Sequence, residues 1–395
     1  MIQESGIHMP VYAFGSNGSG QLGIGHVEDV SVPTRCLFVP DEEEEESSTA
    51  GHRRVKRIVA GGNHTVILFD NGAAYAAGSN ENGRCGVCAS EPEPASSTLL
   101  KFTRIALRRN DGRVVDSFRD VSATWAATFL VSDDAVLPEE VFVLGAGDKG
   151  ALGLGSDLTE TSSAGPVMVL PDFPPPGTRI RSIASGMGHT VALLSDGRVY
   201  GWGAARKGQL GPSAMPRKVV WSPEEVDGVP VKADLVACGR EFTVIGGGGS
   251  HDYTILGSDK WGVISGAPPR APVQGLSVST SWHGVYVHEH DLSITAWGRN
   301  DRGQLPPPAL SRVSQIAAGS EHVVALLPDH KTVVAFGWGE HGNCGPDTDA
   351  QGNVNGSWNT IPLPVEEDGI VVDVGAGCAT SWIITSSPSD SGRDE

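Results

Sequence analysis

Cysteine, aromatic residues and positive charge are all scarce in this chain. Six cysteines in 395 residues provide no disulfide framework and fit a reducing cytosol or nucleus. Lys and Arg number 29 against 47 Asp and Glu, a net charge of −18. Phosphate backbones are held by clustered Lys and Arg, so direct binding to duplex DNA, or to tRNA without a partner, is not expected. No apolar run is long enough to span a bilayer. The start, Met1-Ile-Gln-Glu-Ser-Gly6, lacks the basic and apolar regions of a secretory signal.

Glycine, by contrast, is abundant at 52 residues, and it recurs in register. The stretch Tyr12-Ala-Phe-Gly15-Ser-Asn17-Gly-Ser-Gly20-Gln21-Leu22-Gly23 returns around Gly78, Gly145, Gly203, Gly257, Gly298 and Gly337. A second motif alternates with it. Its cleanest copy is Ser185-Gly186-Met-Gly188-His189-Thr190-Val-Ala-Leu193, followed by the turn Asp196-Gly197. Other copies contain His64, His322 and Thr380, and degenerate ones contain Trp125, Arg240 and Trp282.

The apolar runs are short and bounded by glycine turns, which favours strands over helices. Asp-Gly between two such runs is a hairpin signal. A repeat of this length cannot bury its own hydrophobic face and must stack on its neighbours. The predicted fold is therefore all-β: a seven-bladed propeller of four-stranded blades. The chain begins with the Gly15 motif and ends with the Gly375 motif. The N- and C-terminal strands are thus expected to pair in one blade and close the ring. The domain limits read as a disordered or artificial leader at 1–9, a propeller at 10–385 and a disordered acidic tail at 386–395.

These motifs resemble the regulator of chromosome condensation repeat family, and the match covers roughly residues 11 to 385. The resemblance implies a seven-bladed propeller. It does not by itself give the function. Members of that family include nucleotide exchange factors, chromatin readers, a plant ultraviolet photoreceptor and domains of ubiquitin ligases. In length and blade degeneracy the chain is most similar to the short fungal alpha-tubulin suppressor proteins. That likeness implies an adaptor that pairs with a small zinc-binding CSL-type protein, indirectly serving Elongator and the diphthamide enzymes.

Several tempting sites read as structural. Cys85-Gly-Val-Cys88 has half-zinc spacing, but no second pair exists. Cys85 also stands where other copies carry Leu22, Leu152 or Leu210. His64, His189 and His322 occupy one repeated position, which points to a repeated structural bond, such as one to a turn. Gly246 to Ser250 lacks the Lys-Ser/Thr ending of a phosphate loop and falls on a hairpin turn. A photoreceptor would need Trp and Arg together in one motif; the copies at Trp125 and Trp282 have no such Arg.

No catalytic, cofactor-binding or metal-ligating residue is predicted. Trp and Arg dominate interface hot spots. The predicted protein-binding residues are therefore those in degenerate copies: Arg240, Trp261, Trp282 and His283, with Trp358. Three insertions are expected: the acidic loop Asp41–Glu46, residues 87–115, and a polar loop at 346–369. The expected compartment is the cytoplasm, extending to the nucleus. Rival readings are an exchange factor for a Ran-like GTPase and a substrate-recognition propeller of a ubiquitin ligase.

Overall fold

The computed structural model describes residues 9–40, 53–87, 97–133, 138–162, 165–229, 232–247, 253–269, 277–363 and 369–386. Seven antiparallel sheets succeed one another around a central channel. Blades 1 to 6 span residues 55–104, 118–169, 180–225, 233–257, 277–298 and 315–361. Blade 7 combines both chain ends. Its order from the axis outward is Ile370–Ala376, Thr380–Ser386, Val11–Gly15 and Val30–Arg35. Val11 faces Ile384 and Gly15 faces Thr380 across the closing pair. The expected ring closure is therefore present.

Five blades have four strands, and blades 4 and 5 have three among the described residues. The segment 346–369 contains an outer strand, Asn353–Ile361, rather than only a loop. Likewise Thr98–Arg104 is the outer strand of blade 1, followed by a two-residue hairpin pairing Leu107–Arg108 with Val114–Val115. Outer strands are half solvated, so they bury only scattered residues such as Val354 and Ile361 and show no apolar run. The acidic loop Asp41–Glu46 lies outside the described residues, as do Cys88 and residues 248–250.

The core lies between blades. The second strands His64–Phe69, Ala127–Ser132, His189–Leu194, Phe242–Gly247 and His322–Leu326 are buried along their whole length. Each is sandwiched between neighbouring sheets, so it reads as a continuous apolar run.

One glycine position explains much of the repeat. At the end of each third strand stand Gly15, Gly78, Gly145, Gly203, Gly257, Gly298 and Gly337, all with φ between +97° and +122°. A Cβ there would lie 2.2 to 2.7 Å from a carbonyl oxygen of the loop entering the second strand. The next residue's N–H donates to that same oxygen, as from Ser79 to Asn63 at 2.8 Å and from Ala204 to Gly188 at 2.8 Å. Only glycine permits both the left-handed turn and the close approach.

The repeated histidines bind across blades, not to a turn. His64 Nε2 lies 2.9 Å from Thr128 Oγ1 of the next blade, His189 Nε2 lies 3.0 Å from Thr243 Oγ1, and His322 Nε2 lies 2.9 Å from Ser381 Oγ. Burial lowers their basicity, to about 3 for His64 and about 4 for His189 and His322. They are neutral hydrogen-bonding plugs at ordinary pH. Cys85 fills the leucine slot. It is buried among Val66, Leu68 and Phe142, and burial pushes its thiol up to about 12.

Candidate protein interface

The loops joining innermost to second strands meet at one mouth of the channel, here termed the upper face. A belt of backbone hydrogen bonds runs through them from blade to blade. Gly62 N donates to Trp125 O at 2.8 Å and Trp125 N to Met187 O at 3.1 Å. Met187 N reaches Arg240 O at 3.4 Å and Arg240 N reaches Trp282 O at 3.1 Å. The belt continues from Trp282 N to Ser320 O at 2.9 Å and from Ser320 N to Gly377 O at 2.8 Å. It brings one residue per blade to the mouth: Gly62 in blade 1, and Trp125, Met187, Arg240 and Trp282 in blades 2 to 5.

Three of these four converge. The Trp125 and Trp282 rings, from blades 2 and 5, lie 6.3 Å apart and tilted by 43°. The Arg240 guanidinium sits 4.7 Å from the Trp282 ring centre. Trp125 overlies Gly62, where a Cβ would be 2.5 Å from its ring, and stays 40% exposed. Cation–π stacking fixes the arginine without neutralising it.

A second group adjoins it between blades 5 and 6. Arg299 Nη1 donates to Glu321 Oε1 at 2.7 Å, and Gln304 Nε2 to Glu321 Oε2 at 2.9 Å. His283 Nδ1 lies 3.5 Å from the same carboxylate. Burial alone would raise Glu321. The nearby His283 imidazole, the hydrogen bond from Gln304 and the Arg299 charge hold it below the usual range instead. Arg299 in turn stacks 4.9 Å from the Trp261 ring, which is 45% exposed. Trp261 has φ +65°, but Asn82 and Lys149 share that conformation at equivalent turns, so it belongs to the repeat.

The third group is Arg302 stacked 5.6 Å from Trp338, with His341 against the Trp338 edge at 5.3 Å. His341 Nδ1 lies 2.8 Å from Asp29 Oδ2 in blade 7. An arc of Trp–Arg pairs thus follows the upper face from blade 4 to blade 7. Of the residues expected from sequence, Arg240, Trp261 and Trp282 join this arc. His283 is buried and positions Glu321 rather than facing solvent. Trp358 stands apart, on the outer strand of blade 6 against that blade's core.

Sequence reasoning missed Arg299, Arg302 and Trp338. It also missed that Arg240, one blade earlier, supplies the guanidinium absent from the Trp282 motif. The third residue of each inner loop was the available signal for Trp125, Arg240 and Trp282; Arg299, Arg302 and Trp338 lie at or after the third strands, where no such signal pointed to them. Among the described residues, no group of three or more His, Cys, Asp and Glu could hold a metal ion. No helix among them is long and apolar enough to cross a membrane.

Comparison with known proteins gives one family. The RCC1-like domain matches residues 10–383. An RCC1 repeat-containing protein of Schizosaccharomyces pombe is 31% identical over 381 residues, covering 94% of this chain and 97% of its own length. A Mus musculus protein named secretion-regulating guanine nucleotide exchange factor is 24% identical over 421 residues, covering 93% of this chain and 82% of its own. The crystal structure of Prp20p from Saccharomyces cerevisiae has a TM-score of 0.74 at 19% identity, covering 97% of this chain and 93% of that one. At that identity the likeness is one of fold.

Proposed function

The chain belongs to the RCC1-like domain family, and from that premise we propose that it is a non-catalytic protein-binding propeller whose upper face receives a small CSL-type zinc-binding protein. Through that partner it would serve diphthamide synthesis and Elongator-dependent modification of the tRNA wobble uridine, in the cytoplasm and nucleus. The metal would belong to the partner. The observation that carries the binding role is the arc of Trp–Arg pairs, with Trp125 and Trp261 still exposed in the isolated chain. A rigid ring presents these anchors already ordered, which lowers the entropic cost of association. The fungal relative, aligned along nearly its whole length, supports the narrower reading of a small fungal propeller.

The test is affinity capture with mass spectrometry, followed by calorimetry on the purified partner. Trp261→Ala and Trp282→Ala should each weaken binding by roughly thirtyfold, the loss of about 2 kcal/mol expected of a central hot spot. Circular dichroism checks that both variants fold. If both bind like the parent, the surface is wrong.

The mouse relative's name keeps a second reading in view, that of a guanine-nucleotide exchange factor. Recovery of a GTPase, with faster nucleotide release on adding this chain, would favour it over the adaptor. Recovery of ubiquitin-ligase subunits would favour a substrate-recognition role.

A further inference from the structure

A groove of about 440 Å³ crosses the upper face between blades 2 and 3 and ends at the channel mouth. The residue just before the second strand is Asn63, Glu241, His283 or Glu321 in four blades, but Ala126, Gly188 and Ala379 in blades 2, 3 and 7, and only blades 2 and 3 place two such small residues side by side. The facing wall is also small, with Ala146 and Ala204. A Cβ built on Gly188 meets only the Ala204 Cβ, at 3.9 Å, so the space beside it is open.

The two ends of the groove differ. At the inner end Trp125 and Met187 form an apolar wall, and Arg240 lies beside them. Arg240 makes no ion pair among the described residues, since its guanidinium is stacked on Trp282 instead. Farther out, Lys149 is already paired with Asp148 at 3.3 Å. Glu241 and Asp148 also border the groove, so a run of acidic residues would be repelled. The charge pattern therefore asks for one carboxylate at the inner end and apolar or neutral residues behind it.

Resting on the protein-binding role above, we propose that this groove captures the free C-terminus of a partner chain. The terminal carboxylate meets Arg240, the last side chain packs on Trp125 and Met187, and the preceding residues lie extended along the small-residue floor. A fixed guanidinium gives a charge-assisted bond to a planar carboxylate. Capture of a chain end by few, well-placed groups is an established recognition mode.

The probes are fluorescein-labelled octapeptides ending in Leu, Met, Phe or Trp, each made as the free acid and as the C-terminal amide. Anisotropy should show at least one free acid binding about tenfold tighter than its amide, a difference of about 1.4 kcal/mol. Arg240→Gln should abolish the acid preference. Gly188→Leu, whose Cβ would meet only the Ala204 Cβ at 3.9 Å and whose longer side chain would occupy the groove, should abolish binding of both forms. Equal affinity of acid and amide, no binding by any peptide, or unchanged binding to Gly188→Leu would each overturn the inference. A captured partner that binds the parent and Gly188→Leu equally, but loses Trp261→Ala, would remove the groove and leave the interface standing. Peptide binding without any captured partner would do the reverse.

Discussion

Two kinds of boundary between blades differ in chemistry while both keep the facing residues buried. From blade 1 to 2, 3 to 4 and 6 to 7, a buried histidine meets a hydroxyl of the following blade: His64 with Thr128, His189 with Thr243, His322 with Ser381. From blade 4 to 5 and 5 to 6 both members are gone. Phe242 and Gly284 stand in the histidine position, and Val285 and Val323 stand in the hydroxyl position. All four remain buried. Removing both partners of a buried hydrogen bond is cheap, whereas removing one strands the other without a partner. At these two boundaries the lock has been lost pairwise, whereas from blade 2 to 3 and from blade 7 to 1 only the histidine is gone, replaced by Ala127 and Thr380, while Thr190 and Thr65 keep the hydroxyl position. Above the two apolar boundaries stand Arg240, Trp282, Trp261 and Arg299, of which Trp261 is the most exposed. The lock belongs to the ring. The arc belongs to whatever docks on it.

The largest test of that division attacks the lock at ring closure. Deleting residues 375–395 removes Ser381, the partner of His322, together with Trp382, Ile383 and Ile384, all buried. It leaves Val11–Gly15 without its inner neighbour. The shortened chain is expected to be insoluble or to lose cooperative melting. If it stays soluble and melts like the parent, the terminal strands do not hold the ring.

Acid should act next, chiefly through the histidine boundaries. His64, His189 and His322 have folded-state values near 3 to 4, below the ordinary 6.5 of an exposed imidazole. The unfolded chain therefore takes up their protons first. Their contribution to stability is complete above about pH 6.5 and drains away as pH falls toward 4. Each histidine shifted to about 4 withdraws on the order of 3 kcal/mol. Asp373, raised by burial, works with the opposite sign and offsets part of the loss. Melts between pH 7.5 and 4.5 should show a steep fall in the parent and a flatter curve in a His64→Gln, His189→Gln, His322→Gln variant. A parent curve flat across that range would mean the imidazoles are not buried as neutral groups.

How much of this was legible follows from whether the signal was local. The seven glycines before each third-strand turn were visible because every copy needs a left-handed residue against a carbonyl. The split blade was visible because the motifs begin and end out of phase. The histidines were recognised as structural, but their partners lie in the following blade, 54 to 64 residues away, and no local pattern reports such a pairing. The same limit hid the meeting of Trp125 with Trp282 and of Arg302 with Trp338. Trp358 stands where the repeat motif has broken down, in a stretch whose polarity suggests a loop. That stretch is an outer strand, and its half-solvated face imitates a loop.

The smallest expected effect tests whether the two kinds of boundary obey one packing rule. In blades 1, 3, 4 and 6 the second residue of the inner loop is glycine, and three residues later comes a ring: His64, His189, Phe242 or His322. In blades 2 and 5 that glycine is Thr124 or Ser281, and the ring has shrunk to Ala127 or Gly284, while blade 7 keeps Gly377 before Thr380 because a Cβ there would lie 2.4 Å from the Ala60 Cβ of blade 1. The cause is steric. A Cβ on Gly239 would lie 2.0 Å from Phe242 Cε1, and its three nearest atoms all belong to that one ring. Gly239→Ala should therefore destabilise by about 1–3 kcal/mol through overpacking. Phe242→Ala should cost about 3–5 kcal/mol through the cavity it leaves. With the ring removed, the added methyl has room, so the double variant should be no less stable than Phe242→Ala alone. The coupling read from the cycle should then equal most of the Gly239→Ala penalty, on the order of 1–3 kcal/mol, as expected for residues in direct contact. Denaturant melts of the four proteins supply it. Simple additivity would mean that glycine is required there by the neighbouring backbone rather than by the ring, and that Thr124 and Ser281 escape the clash for some other reason.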